Sequence, residues 1–276
     1  MTIVYKPLVS IIIPVYNASN TILATLESVK NQSYKEFEVI IVNDGSKDDS
    51  QLIISEYIER NDHLNIKYIS QLNQGVSKTR NEGMKHAKGD YIALLDSDDE
   101  WLPNKLERQI EILLDNPTID FLGANRNGEH FKKFLNIHFQ LVTKISAKNL
   151  LYKMFFITPT VIFKKNILND VGFFDEYQNF SEDANYFIKI AISKQCYLLN
   201  ESLVITGGGK TFFEERGLSS NLWEMQKGEF INLRYAYKCK LIDLFEYVLI
   251  FNFYCLKYAR RVLLIKRRSF INKLNW

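Results

Sequence analysis

The chain is predicted to be an α/β protein, a doubly wound and mostly parallel sheet followed by a helical carboxy-terminal extension. Three observations predict it. Largely β-branched runs at residues 8–15 and 37–42 are nearly continuously apolar, as parallel strands buried on both faces are. Segments with apolar residues at helical spacing separate such runs, the alternation that builds parallel sheets. The polar clusters "PVYN", "NDGS" and "DSDD" each close an apolar run, which puts them at the carboxyl ends of strands, where sheets of this class bind ligands.

The elements follow in order. "NASNTILATLESVKNQ" opens on Asn and Ser and spaces Ile22, Leu23, Leu26 and Val29 along one helix face, completing a β-α-β unit. The alternation continues with a helix over 49–61, a strand over 66–69, a helix over 76–87 and a strand over 91–95. Ser46 and Asp49 fit a capping box for the first of these helices. Pro103 enters a helix running through "KLERQIEILLDN", and residues 120–170 are less periodic, with "TPTVIF" reading as a strand. "GFFDEYQNFSEDANYFIKIAISKQ" is a loop leading into a helix, with Ser181 as N-cap and Glu182 and Asp183 in the first turn. A glycine triplet at 207–209 opens a flexible basic and aromatic loop, and two helices complete the chain without repeats or low-complexity linkers.

With 276 residues, 46% of them hydrophobic, the chain supports one sizeable core or a main domain with a smaller appendage. The net charge of +3 hides an asymmetry: residues 256–276 hold seven bases and no acid, leaving 28 bases against 32 acids elsewhere. The tail and the body are therefore expected to meet different partners. Cys196, Cys239 and Cys255 are odd in number and scattered, which suits a reducing cytosol and neither a disulfide framework nor a zinc site. The apolar run near the start stops at Pro14 and lacks a basic leader or cleavage site, so no export is expected. Neither G-x-G-x-x-G nor a P-loop follows the first strand, which argues against a dinucleotide cofactor. The histidines lack metal-ligand spacing.

"YIALLDSDDEW" places four carboxylates in five positions at the end of a strand. Charges this crowded repel unless something positive sits among them. In an extended segment Asp96 and Asp98 point to one side, roughly 6.5–7 Å apart, and could hold a hard divalent cation completed by substrate phosphates. The competing assignment, N-cap and first-turn acids favoured by a helix dipole, explains Asp99 and Glu100 well and stands level for Asp96 and Asp98. Asp44, at the end of the second strand, is placed to accept a hydrogen bond from a ligand N–H.

"VSIIIPVYN", "VIIVNDGSKDDS", "QLNQGVSKTRNEGMKHAKGDYIALLDSDDEW" and "GFFDEYQNFSEDANYFIKIA", in this order and spacing, resemble glycosyltransferase family 2, the inverting enzymes with the GT-A fold. The resemblance covers roughly residues 8–205 and implies a nucleotide-sugar-binding catalytic domain over 1–205, followed by an acceptor loop and amphipathic basic helices over 206–276. It implies that Val15 and Tyr16 lie along the uridine of a UDP-sugar and that Asp44 accepts from the uracil. Arg80 and Ser97 would border the nucleotide, Asp96 would contact ribose or metal-bound water, and Asp98 would bind Mn²⁺ or Mg²⁺ bridging the two phosphates. Asp183, the second acid of an "ED" pair, would be the general base, and Glu182 would orient acceptor or loop. For both acids, first-turn dipole compensation is the alternative.

"GGGKTFFEERGLSSNLWEMQKGE" is similar to the acceptor-side segment of members that assemble bacterial surface polysaccharides. There Lys210 or Arg216 would meet a phosphate, and Phe212, Phe213 or Trp223 would stack on a sugar; ordinary loop anchoring is the alternative for each. Residues 241–265 are too interrupted by charge to span a bilayer and suit an interfacial helix, with the basic run beyond drawn to anionic lipid. No nucleic-acid motif supports a nucleic-acid partner. The expected protein is thus a metal-dependent glycosyltransferase, cytoplasmic and peripheral on the inner face of the plasma membrane, acting on a glycan or lipid-linked acceptor. A nucleotidyltransferase and a catalytically silent sugar- or membrane-binding protein are the alternatives.

Overall fold

The computed structural model describes residues 6–207 and 221–274, with side chains through Ile265. Strands β1 (Val9–Val15), β2 (Phe37–Asn43), β3 (Ile66–Ser70) and β4 (Tyr91–Leu94) pair in parallel in the order β3-β2-β1-β4, with helices α1 (Ile22–Lys30), α2 (Ser50–Arg60) and α3 (Val76–His86) as crossovers. β5 (Glu100–Trp101), α4 (Lys105–Asp115) and β6 (Phe121–Arg126) follow. Next come a β7 (Lys133–Phe134) and β8 (Ile137–His138) hairpin, β9 (Val142–Lys144), α5 (Ala147–Tyr152), β10 (Ile162–Lys164) and α6 (Ile167–Asp170). α7 (Glu182–Ser193), β11 (Cys196–Ile205), α8 (Leu222–Lys238) and α9 (Leu244–Leu274) complete the chain.

The second half of the sheet is mixed. β10 runs antiparallel to both β4 and β6, β11 is parallel to β6, and β5 and β9 both pair antiparallel with β11. Because β10 reverses between them, β4 and β6 run the same way, and their carboxyl ends reach the same edge. "TPTVIF" divides into a 3₁₀ turn at Thr158–Thr160 and the short β10, since the turn around Pro159 delays the strand.

Period-two alternation splits the core into two layers. Ile11, Ile13, Val39, Ile41 and Ala93 face α1, α2 and α4, whereas Ile12, Ile40, Val42, Ile92 and Leu94 face α3, α5 and α7. That second layer also takes in Leu233 and Ala236 of α8 and Ile250 and Tyr254 of α9, so the last two helices share its core. Phe121 anchors it, with Phe156, Phe163 and Phe187 at ring-centroid distances of 4.8, 5.8 and 5.3 Å. No described helix is long and apolar enough to cross a membrane. Phe121→Ala should cost roughly 3–5 kcal/mol, because it empties a site whose neighbours are themselves rigid rings; urea unfolding followed by circular dichroism measures the loss.

Candidate functional site

The loops after β1, β2, β3, β4 and β6 and the start of α7 converge on one edge of the sheet. Asn17, in the left-handed region at φ 50°, donates its N–H to Ser46 Oγ and accepts the N–H of Lys47, joining the β1 and β2 loops. Ser50 and Asp48 also receive N–H groups from this stretch, those of Ala18 and Ser19. The expected capping box of Ser46 and Asp49 is therefore absent: α2 starts later, at Ser50, and Ser46 is engaged by Asn17. Val15 points its side chain into the core and leaves only backbone at the edge, while Tyr16 is half exposed beside it.

Asp44 is buried and holds the next loop. Its Oδ1 accepts from Gln71 Nε2 at 2.7 Å and Gln74 N at 2.8 Å, and its Oδ2 accepts from Gly75 N at 2.9 Å. A methyl group on Gly45, at φ +69°, would lie 2.9 Å from Asn73 N, so glycine is what lets the two loops touch. Asp44 thus spends three acceptor positions on protein, leaving one on Oδ2 for a ligand N–H.

The strand before the acids ends at Leu94, and Asp96–Asp99 form a turn closed by Asp99 N donating to Asp96 O at 3.2 Å. The alternation expected for Asp96 and Asp98 does not apply, since the backbone there is no longer extended. Asp99 and Glu100 are not helix-start residues either, because α4 begins at Lys105 with Asn104 as its N-cap and Glu100 belongs to β5. Asp99 is buried and accepts Gly207 N at 3.0 Å, tying the acidic turn to the end of β11. Burial, then Asp96 and Asp98, push its carboxyl up to about 8. Ser97 lies half-buried in the turn, and Asp98 is exposed with no side-chain partner among the described residues. Partial loss of solvent and then Asp96 raise its pKa.

Arg80 is the cation bonded directly to these acids. Only 5% exposed, it donates from Nη2 to Asp96 Oδ1 at 2.8 Å and from Nη1 to Glu182 Oε1 at 2.9 Å. Its Cζ lies 5.4 Å from the centroid of Phe174. Each terminal nitrogen donates to one protein carboxylate, so Arg80 ties the acidic turn to the start of α7. Glu182 is likewise buried, with Oε1 held by Arg80. Asp183, beside it, is half-buried and accepts the N–H of Ala184 at 2.7 Å, with no side-chain donor to it among the described residues. Burial raises the pKa of both acids, each also feels a neighbouring carboxylate, and Arg80 opposes the rise.

A buried amide network behind α7 sets its entry. Asn232 of α8 accepts from Gln178 and Asn185, each at 3.0 Å, and donates to Ser181 O at 3.0 Å. Ser181 is held at φ 53°, a left-handed conformation unfavourable for a residue with a Cβ. It occupies the N-cap position without making the expected capping bond, because this backbone turns its hydroxyl toward Met225 O. Gly228 lets α8 approach, since a Cβ there would sit 2.2 Å from Phe180 O.

Two residues of the site lie outside what the motifs pointed to. Asp99 hides inside an acidic run that helix capping explains, and Arg126 closes β6 in a stretch without clear periodicity. Arg126 is buried, donates to Thr206 Oγ1 at 3.0 Å and lies within electrostatic reach of Asp99 and Asp183. Its position after the apolar run "FLGAN" is the signal that could have found it. Trp223 is half exposed on α8, and among the described residues its ring meets Tyr258 and Lys227. Lys210, Arg216, Phe212, Phe213 and the flexibility expected of their loop lie outside the described residues. Among those described, no group of three or more His, Cys, Asp or Glu side chains is arranged as a complete metal cage.

This mixed sheet with its acidic turn is the GT-A fold. It is shared by the Staphylococcus aureus TarS 1–349 structure in complex with UDP-GlcNAc (TM-score 0.65, 22% identity, 90% of this chain and 71% of that one). A second such structure is the mannosyltransferase PcManGT from Pyrobaculum calidifontis with GDP-Man and Mn²⁺ (TM-score 0.66, 18% identity, 85% and 65%). The chain belongs to glycosyltransferase family 2, whose family model, described as Glycosyl transferase family 2, matches residues 10–174.

An uncharacterized glycosyltransferase of Rickettsia typhi is 34% identical over 212 residues, 72% of this chain and 64% of the relative. The Escherichia coli protein WfgD, named UDP-Glc:alpha-D-GlcNAc-diphosphoundecaprenol beta-1,3-glucosyltransferase, is 33% identical over 191 residues, 68% and 70% of the two chains. The alignment thus takes in just under two thirds of the Rickettsia relative's length.

Two measurements probe the site. Asp99→Asn removes a carboxyl whose folded pKa is raised, so the wild type keeps this group's contribution below about pH 4 and loses it as pH rises through about 8. In metal-free thermal melts the variant should match the wild type at low pH and gain roughly 2–5 kcal/mol by pH 8. Asn232→Leu should cost roughly 1–3 kcal/mol in urea unfolding, because it leaves the buried Asn185 Nδ2 without its acceptor, while Gln178 and Ser181 O keep the bonds they make to each other and to Phe180 O and Asn185 N.

Proposed function

We propose that the protein transfers a sugar from a nucleotide-sugar, a UDP-sugar in our reading, to a glycan or lipid-linked acceptor in bacterial surface-polysaccharide assembly, with inversion at the anomeric carbon. The observation that carries this is the juxtaposition at one sheet edge of an open carboxylate, Asp98, and a second little-engaged carboxylate, Asp183, around the Arg80 bridge. The name of WfgD, with its UDP-Glc donor and diphosphoundecaprenol acceptor, supports the donor and acceptor classes. Lipid-linked acceptors of that kind put the proposed place of action at the inner face of the plasma membrane.

Tyr16 and the loop held by Asp44 form the shelf for the base and ribose, and the remaining acceptor position of Asp44 suits the uracil N–H. Asp98 and the unused Oδ2 of Asp96 are oxygen donors of the kind Mn²⁺ or Mg²⁺ takes, too few for a protein-only cage and sufficient when a diphosphate completes the shell. When bound, the cation would neutralise charge on the departing nucleoside diphosphate. Asp183 takes the proton from the attacking acceptor hydroxyl as the hydroxyl oxygen bonds to the anomeric carbon. Burial raises its pKa, which makes its carboxylate a stronger base than a free one. One base opposite one leaving group gives a single displacement, without a covalent sugar-enzyme intermediate. Glu182 and Arg80 act as positioning residues, fixing the start of α7 against the acidic turn. The boundary between a catalytic unit over 1–205 and an acceptor and membrane unit over 206–276 belongs to the same proposal.

The test is a panel of nucleotide-sugars with Mn²⁺, scored for nucleoside diphosphate release and for transfer to lipid-linked saccharides. Asp183→Asn should lower kcat roughly 10²–10⁴-fold with donor affinity retained, and chelator should abolish transfer. The acid limb of the wild-type kcat/KM profile should lie above the ordinary carboxylate range, because the base must lose a proton from a group whose pKa is raised. Full activity of Asp183→Asn would end the base assignment, and transfer that ignores chelator would end the metal assignment.

A further inference from the structure

α9 begins with a reciprocal cap, Glu246 N donating to Asp243 Oδ1 at 2.8 Å and Asp243 N donating to Glu246 Oε2 at 3.1 Å. From there one face is fastened to the protein. Phe251 stacks on Phe230 at 4.9 Å between centroids, Tyr254 donates to Leu151 O at 2.7 Å, and Lys257 and Arg261 both reach Glu229 Oε1 at 2.9 Å.

The opposite face is bare. Phe245, Val248, Leu249, Leu256 and Leu263 recur at spacings of 3, 4, 11 and 18 from the first and are 71, 48, 51, 72 and 67% exposed. They form one stripe about 27 Å long. Asn252, within the stripe, turns its amide back onto Val248 O at 2.8 Å, so its donor is spent on the helix. A helix with two apolar faces and one of them uncovered has a missing partner.

Charge identifies that partner. Residues 247–276 contain seven bases and no acid. Lys257 and Arg261 share the single carboxylate of Glu229, whereas Arg260 is exposed and the sequence continues with Lys266, Arg267, Arg268 and Lys273. A second copy packed stripe to stripe would bring together two helices that each carry seven bases and, after the capping Glu246, no acid. A surface that offers hydrocarbon beneath a layer of phosphates satisfies both features at once, and the helix is not apolar enough to cross it.

We infer that the outward face of α9 is a docking surface for an anionic lipid bilayer, on which the helix lies flat. This deepens the lipid-linked acceptor reading and rests on it only for its purpose. α9 packs on α8, and α8 carries Gly228 and Asn232 against the turn preceding Asp183. The lipid-facing surface is therefore one helix away from the proposed base.

The full chain is mixed with phosphatidylcholine vesicles, with or without phosphatidylglycerol, and centrifuged. Binding should require the anionic lipid and weaken as salt is raised. Leu249→Glu combined with Leu256→Glu should reduce partitioning by about tenfold or more, and Arg260→Glu by about fivefold. Both sites are exposed, so circular dichroism and nucleoside diphosphate release in lipid-free buffer should stay unchanged. Equal binding to neutral and anionic vesicles, or a double variant that sediments like the wild type, overturns the proposal. So does a double variant that converts a dimer into a monomer while retaining vesicle binding, which would assign the stripe to a second copy. Because diphosphate release is read without lipid, failure of the docking surface and failure of the transferase reading give different results.

Discussion

The site depends on one buried guanidinium. Five carboxylates, those of Asp96, Asp98, Asp99, Glu182 and Asp183, approach one another from two segments far apart in the chain, and Arg80 binds one member of each segment. A buried arginine with two carboxylates is stable only when all three are present, because any one removed leaves an uncompensated charge in a poor solvent. α3 reinforces the contact through Asn81, which exchanges hydrogen bonds with Phe174 at 3.0 Å each, and through Ser77, which donates to Gln178 O at 3.4 Å. Three residues on one face of a single helix thereby hold the segment leading into α7 against the sheet edge.

This arrangement divides the motif acids by duty. Asp44, Asp99 and Glu182 are buried and spend their oxygens on loop N–H groups or on Arg80, so they build the site. Asp98 and Asp183 keep unoccupied oxygens and retain access to solvent, which suits the metal and base roles proposed for them. The raised pKa values across the group share a first cause, burial, to which neighbouring carboxylates add. A divalent cation accompanying the substrate would relieve that repulsion.

The carboxy-terminal helices enter the same economy of contacts from behind. Asn232 stabilises a left-handed Ser181 that would otherwise be unfavourable, and Gly228 clears space for Phe180 O. The turn before Asp183 is thus held by α3 on one side and by α8 on the other. Glu229, in turn, binds α8 to the inner face of α9 and leaves that helix's outer face to whatever covers it.

The sequence by itself determined the parallel half of the sheet and the edge at which the site forms. β1, β2 and β4 are apolar runs buried on both faces, and the polar clusters that close them must emerge at their carboxyl ends. It also placed Asp98 and Asp183 among the candidate residues, since family spacing is a local property of the chain. Tertiary structure decided the rest. It made Asp96–Asp99 a turn where alternation predicts a strand, and gave Asp99 to Gly207 and Glu182 to Arg80. The Asp99–Gly207 and Arg80–Glu182 contacts join residues 108 and 102 positions apart. Whether an acid caps a helix, binds a cation or pairs with a buried arginine depends on which charge reaches it through the folded core, and no local pattern carries that distance.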